Sequence, residues 1–294
     1  MSARLPVFGR LPRGGCPVDD AVVGRCEAIA RAIRRRDAVM IHQAGQGHIG
    51  GDYSCVDILV ALYFAVMDFD PAAPSNPERD RLVLSKGHAA GALYTTFAAL
   101  GLLRDADLDT FMRPESRLNG HPAVTKVTGV EASTGPLGHG LPVAVGMALA
   151  AKLDGSPRRT FVVTGDGELE EGSNWEAMMV AAHHGCANLT LVVDRNGLQQ
   201  GATTRDTTAL APLQAKIAAF GFEVVNVDGH CYPELIPALA AVGERPRCVL
   251  AHTVKGYPIS FMVNQVGWHH RVPSADEVAR ILAELAEPDE GEES

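Results

Sequence analysis

The chain has 294 residues, of which 46% are hydrophobic, and its formal net charge at pH 7 is −9. This length and apolar content suit one large domain, and an acidic chain without a long basic run is not expected to bind nucleic acid. The six cysteines form no CxxC pair, and no stretch has the pattern of a signal peptide or the length of a membrane span, so we expect reduced thiols and a cytoplasmic location.

The first hundred residues are predicted to be mostly helical. An amphipathic helix runs from Val18 to Ala44, and the arginines at 34–36 are expected on its solvated face. The glycine-rich stretch GQGHIGG at 45–51 then predicts a loop between two helices, which leaves His48 open to a ligand. An apolar helix follows over residues 56–66.

From residue 81 onward, short apolar runs typical of strands alternate with longer runs typical of helices. Strands are predicted at 81–85, 160–164, 189–193, 223–227 and 248–253, and helices at 89–100, 108–112, 141–152, 173–184, 210–220, 233–242 and 275–286. This alternation predicts an α/β fold with a doubly wound, mainly parallel sheet and helices on both faces. We divide the chain into a flexible N-terminal arm (1–18), a single domain (19–286) and a disordered acidic tail (287–294).

Residues 159–200 form one strand–helix–strand unit with polar side chains where each strand ends. Gly165-Asp166-Gly167 ends the first strand, and Asn196 follows the second. Because ligands of open α/β sheets bind at the carboxyl ends of the strands, Asp166 and Asn196 could meet around one hard cation that carries a phosphate. The alternative is that both sequences are only turns between strands.

The spacing from GDG to an asparagine after an apolar strand resembles the thiamine diphosphate motif of the transketolase superfamily. This resemblance implies that Mg²⁺ is bound by the side chains of Asp166 and Asn196 and by the main-chain carbonyl of Leu198. It also implies that Gly165 and Gly167 let backbone N–H groups approach the diphosphate.

Five further stretches match the same family in the same order, namely GQGHIGG, LSKGHAAGALY, NGHPA, GPLGHG and WHHRVP. Together they cover about residues 20–275 and resemble the thiamine diphosphate-binding N-terminal domain of a transketolase. The resemblance implies that His88 binds the diphosphate, that Gly135 and Leu137 contact the cofactor by main chain, and that Glu171 lies near the aminopyrimidine. It also implies that three histidines face the reacting sugar, namely His48, His121 and His269. Histidines suit ketol transfer because they exchange protons near neutral pH.

Three residues beside the expected sugar site depart from the family pattern. Gln46 replaces a small residue, Ile49 replaces a common proline, and His270 replaces a frequent glycine. The departures leave the cofactor assignment intact and leave the identity of the sugar open.

Full-length transketolases carry a second α/β domain, which binds the aminopyrimidine and supplies a glutamate to its ring nitrogen. No residue of this chain can be assigned that role. The resemblance therefore implies the N-terminal subunit of a split transketolase, a transferase that moves a two-carbon ketol unit from a ketose or ketose phosphate to an aldose. It implies activity only with a C-terminal partner subunit, in an α₂β₂ assembly.

Three other functions compete with this one. The α subunit of a 2-oxo acid dehydrogenase shares the GDG…N motif and a split chain, but the four histidine stretches resemble sugar-handling positions rather than an acyl site. A 1-deoxyxylulose-phosphate synthase has related motifs, although LSKGHAAGALY and NGHPA are more similar to transketolase. The third alternative is a non-catalytic remnant that binds the cofactor without a partner.

Overall fold

The computed structural model describes residues 4–9 and 18–286. Its helices are α1 (Asp20–Ala44), α2 (Ile49–Val60), α3 (Ala90–Ala99), α4 (Asp105–Leu108), α5 (Gly140–Leu153), α6 (Gly172–His183), α7 (Thr204–Thr207), α8 (Leu213–Ala219), α9 (Tyr232–Ala240) and α10 (Ala275–Glu284). Its strands are β1 (Arg81–Leu84), β2 (Thr160–Gly165), β3 (Leu189–Arg195), β4 (Glu223–Asp228) and β5 (Arg247–His252). A π-helical turn (Ala61–Val66) extends α2, and 3-10 turns occupy Gly87–Ala89, Gly167–Glu170 and Val266–Trp268.

The five strands form one sheet in the order β1-β2-β3-β5-β4, and every neighbouring pair is parallel. Alternate strand residues enter two separate apolar clusters. Val163, Val192 and Val249 pack with α1, α2 and α3, whereas Val162 and Leu191 pack with α5 and α6. The predicted doubly wound α/β fold with helices on both faces of the sheet is therefore confirmed.

Two helices differ from their predicted positions in the chain. The short helix expected at 108–112 is found one turn earlier, as α4. Helix α8 begins at Leu213 rather than at residue 210, because Pro212 stands at its N-cap and proline disfavours helical backbone in the residue before it.

The loop expected at 45–51 is shorter than predicted, because α2 begins directly after His48. Helical backbone then runs without a break from Ile49 to Val66, which makes 18 residues of a length and hydropathy that could cross a membrane. The expectation that no stretch reaches this length was wrong. However, 94% of the stretch is buried inside the described part of the chain, as expected of a core helix.

The arginines at 34–36 are not a solvated face, so that prediction was wrong. Arg34 is 3% exposed and donates to both carboxylate oxygens of Asp57, at 2.6 and 3.1 Å. Arg36 is 2% exposed and pairs with Asp105 and Asp109, each at 2.7 Å. These two side chains fasten α1 to α2 and to α4, because a buried guanidinium is tolerated only where carboxylates pair with it.

Part of the predicted N-terminal arm lies against the domain. Leu5 is buried in the core, and the backbone N–H of Phe8 donates to the carbonyl of Ala99 at 2.8 Å. Residues 10–17 of the arm and the predicted acidic tail at 287–294 lie outside the described residues. The five cysteines among the described residues are free thiols, and Cys16 lies outside them.

Two buried carboxyl groups face each other beside Gly91, where α1, α2 and α3 meet. Asp37 is fully buried and Asp52 is 1% exposed. A Cβ at Gly91 would lie 2.5 Å from one oxygen of Asp37 and 2.7 Å from one of Asp52, so only glycine fits between them. Burial raises the pKa of both groups, and the Asp52 carboxylate raises that of Asp37 further. At a pH where solvated aspartates are ionised, this pair therefore still binds protons.

Asp52→Asn is expected to flatten the dependence of stability on pH. Free aspartate has a pKa of about 3.9, so above that pH the folded chain binds more protons at this pair than the unfolded chain does. The free energy of unfolding of the wild type should then fall as pH rises toward neutral, by up to about 1.4 kcal/mol per pH unit for each such proton. Urea unfolding at pH 5 and 7.5 measures this slope. A matched control, Asp154→Asn, changes an exposed carboxylate and should keep the wild-type slope. Equal slopes in Asp52→Asn and the wild type would contradict the prediction.

Candidate functional site

A cavity of about 470 Å³ opens at the carboxyl ends of β1, β2 and β3. Of the residues predicted for the site, it is lined by His48, His88, Gly135, Leu137, Gly165, Asp166, Gly167, Asn196, Leu198 and His269. It is also lined by seven residues that were given no role from the sequence, namely Gly51, Lys86, Glu168, Gln199, Gln200, Lys255 and His270. Two predicted site residues, His121 and Glu171, are absent from this lining.

The three predicted metal ligands come together where β2 and β3 end, because Gly165 lies opposite Asp194 in the sheet. Asp166 accepts hydrogen bonds from the N–H of Gly167 at 2.9 Å and from that of Gly197 at 2.7 Å. The side-chain oxygen of Asn196 accepts from the N–H of Leu198 at 3.1 Å. The carboxylate and amide oxygens, with the adjacent Leu198 carbonyl, are thus grouped in one wall of the cavity.

This donor set fits a hard divalent cation. Asp166 is 3% exposed, and burial raises its pKa to about 6, so an ionised carboxylate here calls for a compensating positive charge. One carboxylate, one amide and one carbonyl oxygen are ligands that Mg²⁺ accepts beside phosphate oxygens. Within residues 4–9 and 18–286, no group of three or more His, Cys, Asp or Glu side chains could hold a metal ion, as a zinc site would require.

Asp194 organises the floor of the cavity, although nothing in the sequence singled it out. It is fully buried and accepts hydrogen bonds from the ammonium of Lys86, the hydroxyl of Ser54 at 2.7 Å and the hydroxyl of Thr253. The amide of Asn196 lies 3.4 Å from the same carboxylate. Burial is the largest single influence on the pKa of Asp194 and raises it, but the charge of Lys86 and the hydrogen bonds from Lys86, Thr253 and Ser54 together lower the pKa. Asp194 therefore stays ionised and orients both Lys86 and Asn196.

Glu168 joins three loops around the cavity. One of its oxygens accepts from the hydroxyl of Ser85 and from the N–H of Gly138 at 3.0 Å. The other accepts from the N–H of Gly165 at 3.1 Å. The end of β1, the GPLG loop and the GDG turn are thus fixed relative to one another by one buried carboxyl group, whose pKa burial raises.

Four histidine rings form a cluster, and all four line the cavity. The ring of His48 lies 5.2 Å from that of His88, 5.6 Å from that of His269 and 4.5 Å from that of His270, measured between centroids. Burial lowers the pKa of His48 to about 4 and that of His269 to about 3, and it also lowers the pKa of His88. These three imidazoles are therefore neutral at pH 7, and the expectation that they titrate near neutral pH is corrected for this arrangement.

His121 and Glu171 lie at the rim. His121 is exposed and stands beside Gly135, where a Cβ would come within 3.2 Å of the His121 ring. Glu171 is exposed at the start of α6, next to Gly138. Both side chains border the loops that line the cavity, and their roles toward sugar and aminopyrimidine stay predictions.

Comparison with known proteins agrees with this geometry. Residues 26–290 match the family model described as transketolase, thiamine diphosphate binding domain. The chain is 45% identical to one of the subunits of the apulose-4-phosphate transketolase of Actinobacillus succinogenes, over 88% of this chain and 95% of that protein. It is 38% identical to 6-deoxy-6-sulfo-D-fructose transketolase subunit SqwG of a Clostridium species, over 87% and 94% of the two chains.

Solved structures of transketolases share this fold. The enzyme from Campylobacter jejuni superposes with a TM-score of 0.83 at 28% identity, covering 89% of this chain and 43% of that one. The enzyme from Leishmania mexicana gives a TM-score of 0.82 at 30% identity, covering 88% and 41%. The chain thus spans about two fifths of these longer proteins, and nearly all of the relatives named as subunits.

Proposed function

Because this chain belongs to the transketolase family, in the part that binds thiamine diphosphate, we propose that it is the N-terminal subunit of a split transketolase. The observation that carries the proposal is the convergence, in one cavity, of the Asp166, Asn196 and Leu198 oxygens with the histidine cluster. The relatives of similar length are named as transketolase subunits, which favours ketol transfer over the dehydrogenase and synthase alternatives.

The residues of the cavity divide into two groups by their chemistry. The oxygens of Asp166, Asn196 and Leu198 would hold Mg²⁺, and His88 with the backbone of the GDG turn would hold the diphosphate. When bound, thiamine diphosphate supplies the nucleophilic carbon that takes up the ketol unit. His48 and His269, neutral and half-buried, would hold sugar oxygens by hydrogen bonds, and His121 at the rim would meet the same sugar.

The surface beside the cavity supports the need for a partner. Leu137 is 37% exposed, Val143 on α5 is 43% exposed, and Met179 and Val180 on α6 are 54% and 42% exposed. Helices α5 and α6 pack against each other, so Val143, Met179 and Val180 lie on neighbouring elements, and Leu137 lines the cavity itself. We assign this surface to contact with the C-terminal subunit, which would complete the site in an α₂β₂ assembly.

Co-expression with a C-terminal transketolase subunit tests the proposal. The purified complex should transfer two carbons from at least one member of a panel of ketoses and ketose phosphates to an aldose acceptor.

In that complex, His121→Ala should reduce kcat by roughly 100-fold while cofactor binding stays near wild type, if the imidazole takes part in proton transfer. His184→Ala, which changes an exposed histidine just after α6, is the matched control and should keep wild-type turnover.

Two results would count against the proposal. A complex that binds thiamine diphosphate but transfers no ketol unit from any donor would favour the non-catalytic alternative. Wild-type turnover in His121→Ala would reject the proposed role of this histidine toward the sugar.

A further inference from the structure

His230 does not line the candidate cavity, but it lies against the segment that carries Lys255 into it, residues 253–257, which we call the β5 loop. It stands in the turn between β4 and α9, and its side chain is 8% exposed. The residue before it is Gly229, where a Cβ would collide with the side chain of Thr253. Only glycine fits there without displacing Thr253, so Gly229 lets the turn approach the β5 loop closely.

The contact between His230 and the β5 loop has a defined donor. The backbone N–H of Val254 donates to Nε2 of His230, with 2.9 Å between the two nitrogens. A peptide N–H can only donate, so Nε2 must be the unprotonated nitrogen of the ring. The single ring proton of the neutral imidazole is therefore on Nδ1. Nδ1 lies 2.6 Å from a carboxylate oxygen of Asp57, which accepts this N–H.

Asp57 is a fixed acceptor for His230. It is buried and accepts two hydrogen bonds from Arg34 and one, at 3.0 Å, from the hydroxyl of Tyr232. Burial is the largest single influence on the pKa of Asp57 and raises it, but the charge of Arg34 and the hydrogen bonds from His230 and Arg34 lower the pKa to about 2. Asp57 is therefore ionised at neutral pH. The ring of Tyr257 stacks on the imidazole with 3.8 Å between centroids, which holds the plane of the His230 ring.

Val254 stands between two residues whose side chains take part in the site. The hydroxyl of Thr253 donates to Asp194, and the Nζ of Lys255 lies 2.8 Å from Nδ1 of His269. Lys255 and His269 both line the cavity. Because the three residues are consecutive, a shift of the Val254 backbone moves both of these contacts.

We propose that His230 is a positioning residue, which fixes the β5 loop at the cavity by accepting the N–H of Val254 while Asp57 holds its other ring nitrogen. Resting on the proposed function, the groups that it positions are those that surround the sugar. His230 acts on them through the backbone of the loop and not by contact with the substrate.

Other hydrogen bonds limit the size of the expected effect. The N–H of Thr253 donates to the carbonyl of Arg195, and the N–H of Gly256 donates to that of Gly50, each at 3.2 Å. The β5 loop therefore stays attached at both sides of Val254 when the bond to His230 is lost. We expect a displaced loop and a partial loss of activity.

Two substitutions separate the two hydrogen bonds of His230. The side chain of glutamine reaches as far as Nε2 does, so the amide oxygen in His230→Gln can accept from Val254. The side chain of asparagine is shorter, so His230→Asn can donate to Asp57 in place of Nδ1 but cannot reach Val254. His230→Gln thus keeps the bond to the loop, and His230→Asn loses it.

NMR on the full chain labelled with ¹⁵N measures the bond without substrate or partner. In the wild type at pH 7 we expect a protonated Nδ1 and an unprotonated Nε2 at His230, and a scalar coupling between Nε2 and the amide nitrogen of Val254. The His230 ring signals are identified as those missing from His230→Gln. Amide hydrogen exchange at Val254 should stay slow in His230→Gln and become at least about tenfold faster in His230→Asn.

The kinetic consequence is measured in the assembled complex at saturating cofactor. His230→Asn should lower kcat for two-carbon transfer by about tenfold, whereas His230→Gln should stay within about twofold of the wild type. His184→Asn changes an exposed histidine just after α6 and is the matched control, with wild-type kcat expected. Urea unfolding of each variant shows whether a change in kcat comes from a loss of overall stability.

The proposal is overturned if wild-type His230 carries a proton on Nε2. It is also overturned if a folded variant has fast exchange at Val254 with wild-type kcat, or slow exchange with a tenfold lower kcat. The wild-type spectrum needs no variant, so this test holds even if His230→Asn does not fold. The expected tautomer and coupling in a complex without ketol transfer would reject the proposed function and keep the attachment of the β5 loop to His230.

Discussion

Asp166→Ala is expected to lower the affinity for thiamine diphosphate in the presence of Mg²⁺ by about 100-fold or more, which corresponds to about 2.7 kcal/mol. The variant removes the only carboxylate of the predicted ligand set, and with it both charge and geometry at a cation that has few protein ligands. Asn196→Ala should act in the same direction, because it removes the predicted amide ligand, whose oxygen accepts from the N–H of Leu198.

The sharpest measurement compares each variant with the wild type in chelator. If Asp166 and Asn196 act through the metal, each variant in Mg²⁺ should bind thiamine diphosphate as weakly as the wild type does in chelator. Calorimetry measures both affinities. Asp154→Asn changes a carboxylate in an exposed pair with Arg158 and should bind as the wild type does. Full Mg²⁺-dependent affinity in both Asp166→Ala and Asn196→Ala would show that the GDG…N motif has been misread.

The isolated chain is expected to leave the C2 proton of thiamine diphosphate exchanging at the rate of the free cofactor. Removal of this proton needs a carboxylate that hydrogen-bonds the pyrimidine ring nitrogen and so favours the imino tautomer. In the described residues, the carboxylates that line the cavity are Asp166 and Glu168. Both are already engaged, Asp166 by the N–H groups of Gly167 and Gly197, and Glu168 by Ser85, Gly138 and Gly165.

Addition of the C-terminal subunit should accelerate the exchange strongly, and NMR of the C2 position in deuterated water measures both rates. Rapid exchange by this chain alone would mean that it carries its own activating carboxylate. Glu171 would then be tested first, because it is exposed at the rim of the cavity. If the chain alone exchanged the C2 proton rapidly and Glu171→Gln abolished that exchange, the split-enzyme proposal would be rejected.

Contacts between residues far apart in the chain could not be predicted from the sequence. Lys86 and Asp194 are 108 residues apart, and Ser85 and Glu168 are 83 apart. Neither pair has a spacing that marks a contact, and Asp194 in DRNG has the composition of an ordinary turn. The arginines on α1 were misjudged for the same reason, since a run of basic residues does not reveal that Asp57, Asp105 and Asp109 will cover it.

The sheet, the unit that carries Asp166 and Asn196, and the order of the glycine- and histidine-containing loops could all be predicted from the sequence. Such features depend on local periodicity and on the rule that parallel strands end at one edge, so they can be read along the chain. The folded structure was needed to show which charges are buried together and which imidazoles are neutral. Protonation and orientation depend on burial and on partners brought from other segments, and these exist only once the chain is folded.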